Sequence, residues 1–205
     1  MTHNRSLKLP IAAGVVLLLS LALAACGGGS ATKADAGNST DVAFVDGMVP
    51  HHRSAIDMAK TAETRGQSKY VKTLASNIIQ SQGREISTME AIKKQLSGVK
   101  KGDLGMNMSA MGMAMDDSKL KTANPFDRMF VDMMIPHHQG AIRMARVELA
   151  KGKNSQLKGL AHNVIAAQAK EINSMNAFRA RVFGSPSPAG GVPKEGGSSM
   201  TGMNH

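Results

Sequence analysis

The sequence predicts an all-α protein, a four-helix bundle made of two repeated helical hairpins. First, the chain repeats itself. A shift of 86 positions lays Phe44-Val45-Asp46-Gly47-Met48-Val49-Pro50-His51-His52 on Phe130-Val131-Asp132-Met133-Met134-Ile135-Pro136-His137-His138. The register holds without a gap through Ala55-Ile56 and Ala141-Ile142, Met58-Ala59 and Met144-Ala145, Gly66 and Gly152, and Gln82 and Gln168. It ends with Glu85-Ile86 on Glu171-Ile172 and Met89 on Met175, nearly half the positions being identical. A repeat of this length is one supersecondary unit used twice. Second, at about 100° per residue Phe44, Met48, His51, Ala55, Met58 and Ala62 share one face, as do Leu74, Ala75, Ile78, Gln82, Glu85 and Met89. Third, the second segment of each unit is rich in Ala, Lys, Gln and Leu, and no alternating strand pattern interrupts the repeats.

Each helix has a start and a stop. Thr40 or Asp41 is placed to cap the first, expected over 41–65, and Gly66 follows as a C′ stop. Ser68 caps the second, over 68–96. Asn124 ahead of Pro125 reads as an N-cap with proline at the first helical position, opening a third helix over 125–151 that Gly152 ends. Asn154 caps the fourth, over 154–183. One amphipathic hairpin cannot bury its face alone, so the two copies are expected to pack together across a long crossover, 97–123. The bundle then covers 41–183, with repeat one at 41–96 and repeat two at 124–183. Pro50 and Pro136 each remove a backbone hydrogen bond just ahead of a histidine pair, where a kink or a helix start is expected.

Outside the bundle, Arg5 and Lys8 precede a short apolar run, Ile11 to Leu23, and Leu23-Ala24-Ala25-Cys26 resembles the lipobox of bacterial lipoproteins. The expectation is a signal peptide over 1–25, lipidation of Cys26, a flexible tether over 26–40 and a Gly/Ser/Pro-rich disordered tail over 184–205. No later stretch approaches the roughly 20 apolar residues of a spanning helix, so membrane association is expected through the lipid alone, outside the cytoplasm. Cys26 is the only cysteine, which excludes a disulfide and any thiolate zinc or redox site in the folded part. The formal net charge of +10 is carried by residues scattered singly along the helices, among them Arg53, Lys60, Lys69, Lys72, Arg143 and Lys158. With one Tyr and no Trp, this reads as a solvated basic surface near anionic lipid or wall polymer, not a nucleic-acid site.

The chemistry concentrates in histidine and methionine. Four of the seven histidines form the pairs His51-His52 and His137-His138, three residues after Met48 and Met134. Phasing points His51 and His137 inward and leaves His52 and His138 at the stripe's edge. Counting from the hairpin turn puts His51 level with Gln82 and Met48 level with Glu85, and Gln168 and Glu171 repeat this. Two readings stand for His51 and His137: core imidazoles hydrogen-bonded to Gln82, Glu85, Gln168 or Glu171, or ligands of a metal. Imidazole suits divalent transition metals and thioether suits Cu(I), so a mixed Met/His set points to copper. Glu85 and Glu171 are open to three roles: ligand, orienting partner of histidine, or exposed charge.

The crossover holds Met106, Met108, Met111, Met113 and Met115 among small residues, a spacing that makes no helical stripe and suggests a Cu(I)-binding thioether cluster. Met200, Met203 and His205 are a weaker echo. Met58, Met89, Met144 and Met175 lie on inner faces as core filler, and Met129 and Met133 read as packing.

Phe130-x-x-Met133-Met134-x-Pro136-His137-His138-x-x-Ala141-x-x-Met144-Ala145, followed by Gln168-x-x-Glu171-Ile172-x-x-Met175, resembles the secreted bacterial family known as domain of unknown function 305. The resemblance covers nearly all of 41–183. It implies a ferritin-like four-helix bundle and copper binding or copper resistance, with Met48, His51, His52, Met134, His137 and His138 as ligands. Gly47, where the second copy has Met133, implies a weaker or asymmetric first site. The expected function is an extracytoplasmic lipoprotein that sequesters or transfers copper, Cu(I) at the Met-rich sites and Cu(II) at the histidine pairs, without enzymatic activity and with an unknown copper-handling partner. The alternatives are a ferritin-like metal-dependent oxidase and a non-metal structural lipoprotein. Dinuclear carboxylate bundles use Glu-x-x-His motifs, which neither copy contains.

Overall fold

A computed structural model describes residues 37–194. Cys26, the segment before it, most of the expected tether, and Met200, Met203 and His205 lie outside the described residues. Among the described residues four α-helices form the fold: α1 (Ser39–Arg65), α2 (Lys69–Gln95), α3 (Phe126–Lys151) and α4 (Ser155–Phe183), with a short 3₁₀ turn at Asp117–Lys121. The bounds follow the duplication, since α1 and α2 shifted by 86 positions fall on α3 and α4. Among the described residues no helix is long and apolar enough to cross a membrane.

The caps differ in detail from the sequence expectation. Asn38, not Thr40 or Asp41, caps α1. Its side chain accepts from the backbone N–H groups of Thr40 and Asp41, while Asp41 accepts from the backbone of Asn38. That reciprocal box leaves Asp41 free to reach further, to the backbone N–H groups of Lys153 and Asn154 at the start of α4 (3.1 and 2.9 Å). Asp127, its counterpart, accepts from Gln67 and Ser68 ahead of α2, both at 2.8 Å. Each hairpin therefore caps the turn of the other. Pro125, not Asn124, occupies the N-cap of α3. Its backbone is extended and no side-chain cap bond forms, so Asp127 supplies the first turn's negative charge. Gly66 and Gly152 end their helices with ordinary negative φ (−55° and −66°). Glycine is needed there for space, because a Cβ would strike the Ala62 carbonyl or the Glu148 carboxyl. Both α1 and α3 run on through their prolines.

The core is two apolar clusters with a polar layer between them. One joins Val42–Val49 of α1, Met89 and Ile92 of α2, Ala141, Met144 and Ala145 of α3 and the first half of α4. The other joins Ala55–Ala62, the first half of α2, Phe126–Ile135 and the end of α4. The first half of α1 thus packs with the second half of α3, so the two central helices are antiparallel. The crossover is fastened to both ends, Leu104 entering the first cluster and Leu120 and Ala123 the second. The expected disordered tail does not begin at Gly184. Residues 184–194 form a strap in which Gln139 donates to the Ala189 and Gly191 carbonyls, Arg179 to those of Ser185 and Pro186, and Arg146 to those of Pro193 and Lys194. Residues 38–40, expected as tether, belong to the α1 cap and first turn.

Candidate metal centre

The polar layer is where the duplicated motif meets itself. His51 and His137 are buried, their ring centroids 3.7 Å apart across the α1–α3 contact and the rings tilted by 41°. His52 and His138 are equally buried, which corrects their expected place at the stripe's edge. Each turns toward its own hairpin's second helix. The His52 Nε2–H donates to Glu85 Oε2 at 2.6 Å, and His138 does the same with Glu171 at 2.6 Å. Glu85, expected level with Met48, instead bonds His52, which lies about one helical turn further along α1 on nearly the same face. Glu85 and Glu171 sit at the rim, orienting an imidazole from outside.

Hydrogen-bond logic fixes the tautomers. A carbonyl oxygen only accepts, so His51 Nε2 must carry the proton it places on the Met111 carbonyl, 2.9 Å away. A carboxylate likewise only accepts, so His52 and His138 carry theirs on Nε2. In a neutral ring the other nitrogen, Nδ1, is then a bare lone pair. Among the described residues the Nδ1 atoms of His51, His52 and His138 are buried without a partner, as are both nitrogens of His137, Gln82 Oε1 and both polar atoms of Gln168. Each such atom costs about 1–3 kcal/mol when nothing pairs with it. Burial pushes the His51 imidazole down to about 3, with the neighbouring His52 adding to the effect. His137 is also driven well below the ordinary histidine value, by burial and then by His51. Both rings are neutral donors at any ordinary pH.

Thioethers flank the layer. Met48 and Met134 are fully buried, one turn before their histidines and on opposite sides, Met48 in the first apolar cluster and Met134 in the second. Met144 Sδ lies 3.5 Å from where a Cβ would stand on Gly47, beside Met48. Among the described residues no three His, Cys, Asp or Glu side chains converge as a ready-made cation site. Thioether sulfur is the further donor at hand. The layer therefore fits a soft ion held by imidazole and thioether better than a hard one held by oxygen.

The five crossover methionines are not gathered in one place. Met106 and Met111 pack against the first apolar cluster and Met115 against the second, all partly buried, while Met108 is 51% exposed. Sequence reasoning missed the Met111 carbonyl on His51. The signal for it was Gly140, a glycine within α3 where the first copy has Ser54, because a Cβ there would strike the Met111 carbonyl. It also missed Glu148, fully buried beside Asp41, whose counterpart in the first copy is Ala62.

The family model described as a domain of unknown function, DUF305, matches residues 36–179, the bundle apart from the last turn of α4. The chain belongs to the DUF305 family. Among solved structures it is similar to CopM in its Cu(II)-bound form, with 37% identity and a TM-score of 0.61 over 69% of this chain and 96% of that one. CopM in Cu(I)-bound, silver-bound and apo forms matches comparably. A DUF305 protein from Streptomyces coelicolor, described as secreted, has 27% identity and a TM-score of 0.64 over 73% of this chain and 95% of that one. Uncharacterized protein L153 of Acanthamoeba polyphaga mimivirus is 42% identical over 52 residues, 25% of this chain and 34% of its own length.

Proposed function

We propose that this protein is an extracytoplasmic copper-binding lipoprotein, held at the membrane by a lipid on Cys26, that sequesters copper or hands it on without catalysing a reaction. The observation that carries the reading is the layer itself, four buried imidazoles with unpartnered nitrogens in the middle of an apolar bundle, between Met48 in one apolar cluster and Met134 in the other. Such a layer weakens the fold unless something occupies its lone pairs, and a soft metal with mixed Met/His ligation is the occupant whose chemistry matches. His51, His52, His137 and His138 with Met48 and Met134 would hold the ion, and the Met106–Met115 stretch offers further thioethers for Cu(I).

Glu85 and Glu171 would act from outside, each fixing a histidine tautomer so that Nδ1 faces the metal. Because both are engaged that way, the layer offers no free carboxylate pair of the kind a dinuclear oxidase uses. The copper- and silver-bound forms of CopM support this reading by likeness. The test is a copper titration of the protein and of its His51→Ala/His137→Ala variant. The parent is expected to bind copper far more tightly. Equal binding by the two would remove the bundle site.

A further inference from the structure

We propose that the Met-rich crossover is the port and lid of the histidine layer. In this reading Met108, Met111 and Met113 capture a soft monovalent cation, and the Met111–Gly112 backbone lifts to pass it to His51 and His137. The inference rests on the copper-binding reading above and adds a route to it.

The seat of the lid is specific. The Met111 carbonyl accepts from His51 Nε2, so the backbone of the crossover touches the layer directly. Gly112, at φ +72°, lies so close to α3 that a Cβ would strike the Pro136 carbonyl and come within 2.9 Å of the His137 Cα. Gly140 answers it from the helix side, since a Cβ there would strike the Met111 carbonyl. A glycine inside a helix costs roughly 1 kcal/mol against alanine, and the first copy carries Ser54 at this place. The side chain has been given up where the crossover lies down. Arg143 Nε fixes the neighbouring Ala110 carbonyl at 2.7 Å.

The segment can also move as a unit. Its turns close on themselves, with Met111 N–H bonded to the Asn107 carbonyl, Gly112 N–H to Ser109 and Met113 N–H to Met108 (3.0, 2.9 and 2.8 Å). Lifting it therefore breaks the few bonds to His51 and Arg143 without unravelling the turn. Its methionines differ in exposure: Met108 is half exposed, while Met111 and Met113 are partly buried, Met111 packed against the cluster that holds Met48 and Met144. Thioethers carry no charge, so an ion can pass from one to the next by ligand exchange, with no change of oxidation state. Binding at His51 Nδ1 releases no proton, because the ring's proton sits on Nε2.

Two variants of the full chain test this, with Ag(I) as a redox-silent probe and Cu(I) alongside, both delivered from a competing chelator. Gly140→Ala should push the lid off while favouring the helix. Peroxide oxidation of Met111, read by mass spectrometry, and metal loading should both become several-fold faster, at unchanged final stoichiometry in the layer. Met108→Leu/Met111→Leu/Met113→Leu keeps the packing and removes the sulfur, so loading of the histidines should slow several-fold while their equilibrium affinity holds. Unchanged loading rates in both variants would overturn the proposal. So would a triple variant that loses a separate metal equivalent while the histidines load at the parent's rate. If the parent takes up neither ion, the copper-binding reading itself falls and the port falls with it.

Discussion

Where the first copy carries Ser54, Ala62 and Gly47, the second carries Gly140, Glu148 and Met133. These three departures fall where other parts of the chain lean on α1 and α3. Gly140 lies under the crossover, Glu148 beside Asp41 of the other hairpin, and Gly47 against Leu104 and Met144. The shared residues do different work. His52–Glu85 and His138–Glu171 have the same length, and Asp41 and Asp127 each cap the opposite turn. What duplication preserved holds the hairpins together and builds the polar layer; what it let drift fitted the crossover, and at Glu148 the facing hairpin, to one copy at a time. Each copy is thus an internal control for the other.

The aspartates should give the largest effect. Asp41 serves the backbone N–H groups of Asn38, Lys153 and Asn154, and Asp127 those of Gln67 and Ser68. Removing a charged acceptor from such groups costs on the order of 3 kcal/mol. Urea unfolding of Asp41→Ala and Asp127→Ala is expected to show losses of that order in both, with Asp41→Ala the worse by one donor. A negligible loss in either would mean that the hairpins are not locked through these turns.

Next in size are Glu85→Gln and Glu171→Gln. An amide keeps the shape but loses the charge that orients the imidazole, and changes of this kind weaken metal affinity by about 10–100-fold. The two substitutions should weaken copper binding about equally, measured by chelator competition. A loss confined to Glu171→Gln would show that copper sits in the second copy alone.

The architecture was legible in the sequence because periodicity and duplication are local signals. All four helices begin and end within two residues of their expected bounds. The caps were less legible, since Asn38 and Asp41 are both capping residues and only the tertiary demand of Lys153 and Asn154 decides between them. At the site, the inward His51 and His137 followed from phasing, and the burial of His52 and His138 did not. A residue at the stripe's edge is buried when its own hairpin partner covers it, and no single-helix wheel contains that partner. The His51–Met111 bond joins residues 60 positions apart in segments of unlike pattern, so only Gly140 hinted at it. The strap over 184–194 has the composition of disorder and is held through its backbone carbonyls, which composition does not report.

Glu148 should give a smaller effect with a pH signature. Among the described residues neither of its oxygens meets a donor, and the group facing it is the Asp41 carboxyl. Burial, then the hydrogen bond and charge of Asp41, push Glu148 up to about 8, with Lys158 of α4 opposing. Asp41 goes the other way: burial works against its charge, but the N–H groups of Asn38, Asn154 and Lys153 hold it below the ordinary carboxylate value. A raised carboxyl contributes stability that is present below its unfolded pKa and fades as pH climbs through the folded value. The parent should therefore lose stability between about pH 5 and pH 9 relative to Glu148→Gln, which keeps a donor toward Asp41 at every pH. Melting temperatures across that range are expected to favour Glu148→Gln progressively at the alkaline end. Parallel curves would show that no proton is held there.

The smallest expected effect is a gain. Gly47 sits inside α1, and a Cβ there would lie 3.5 Å from both Leu104 Cδ1 and Met144 Sδ, ordinary contact distances. Nothing in the structure requires glycine, so Gly47→Ala should recover the helix penalty and stabilise the protein by roughly 0.5–1 kcal/mol. Gly47→Met, which copies the second repeat, should do the opposite. Met133 is buried in its own half, whereas the matching space at Gly47 is already taken by the crossover's Leu104 and by Met144. Overfilling such a place typically costs about 1–3 kcal/mol. Opposite signs for the two substitutions in one unfolding experiment would show that the crossover, not chance, emptied this position. If Gly47→Met also stabilises, Leu104 yields easily and the first copy could carry a methionine where the second does.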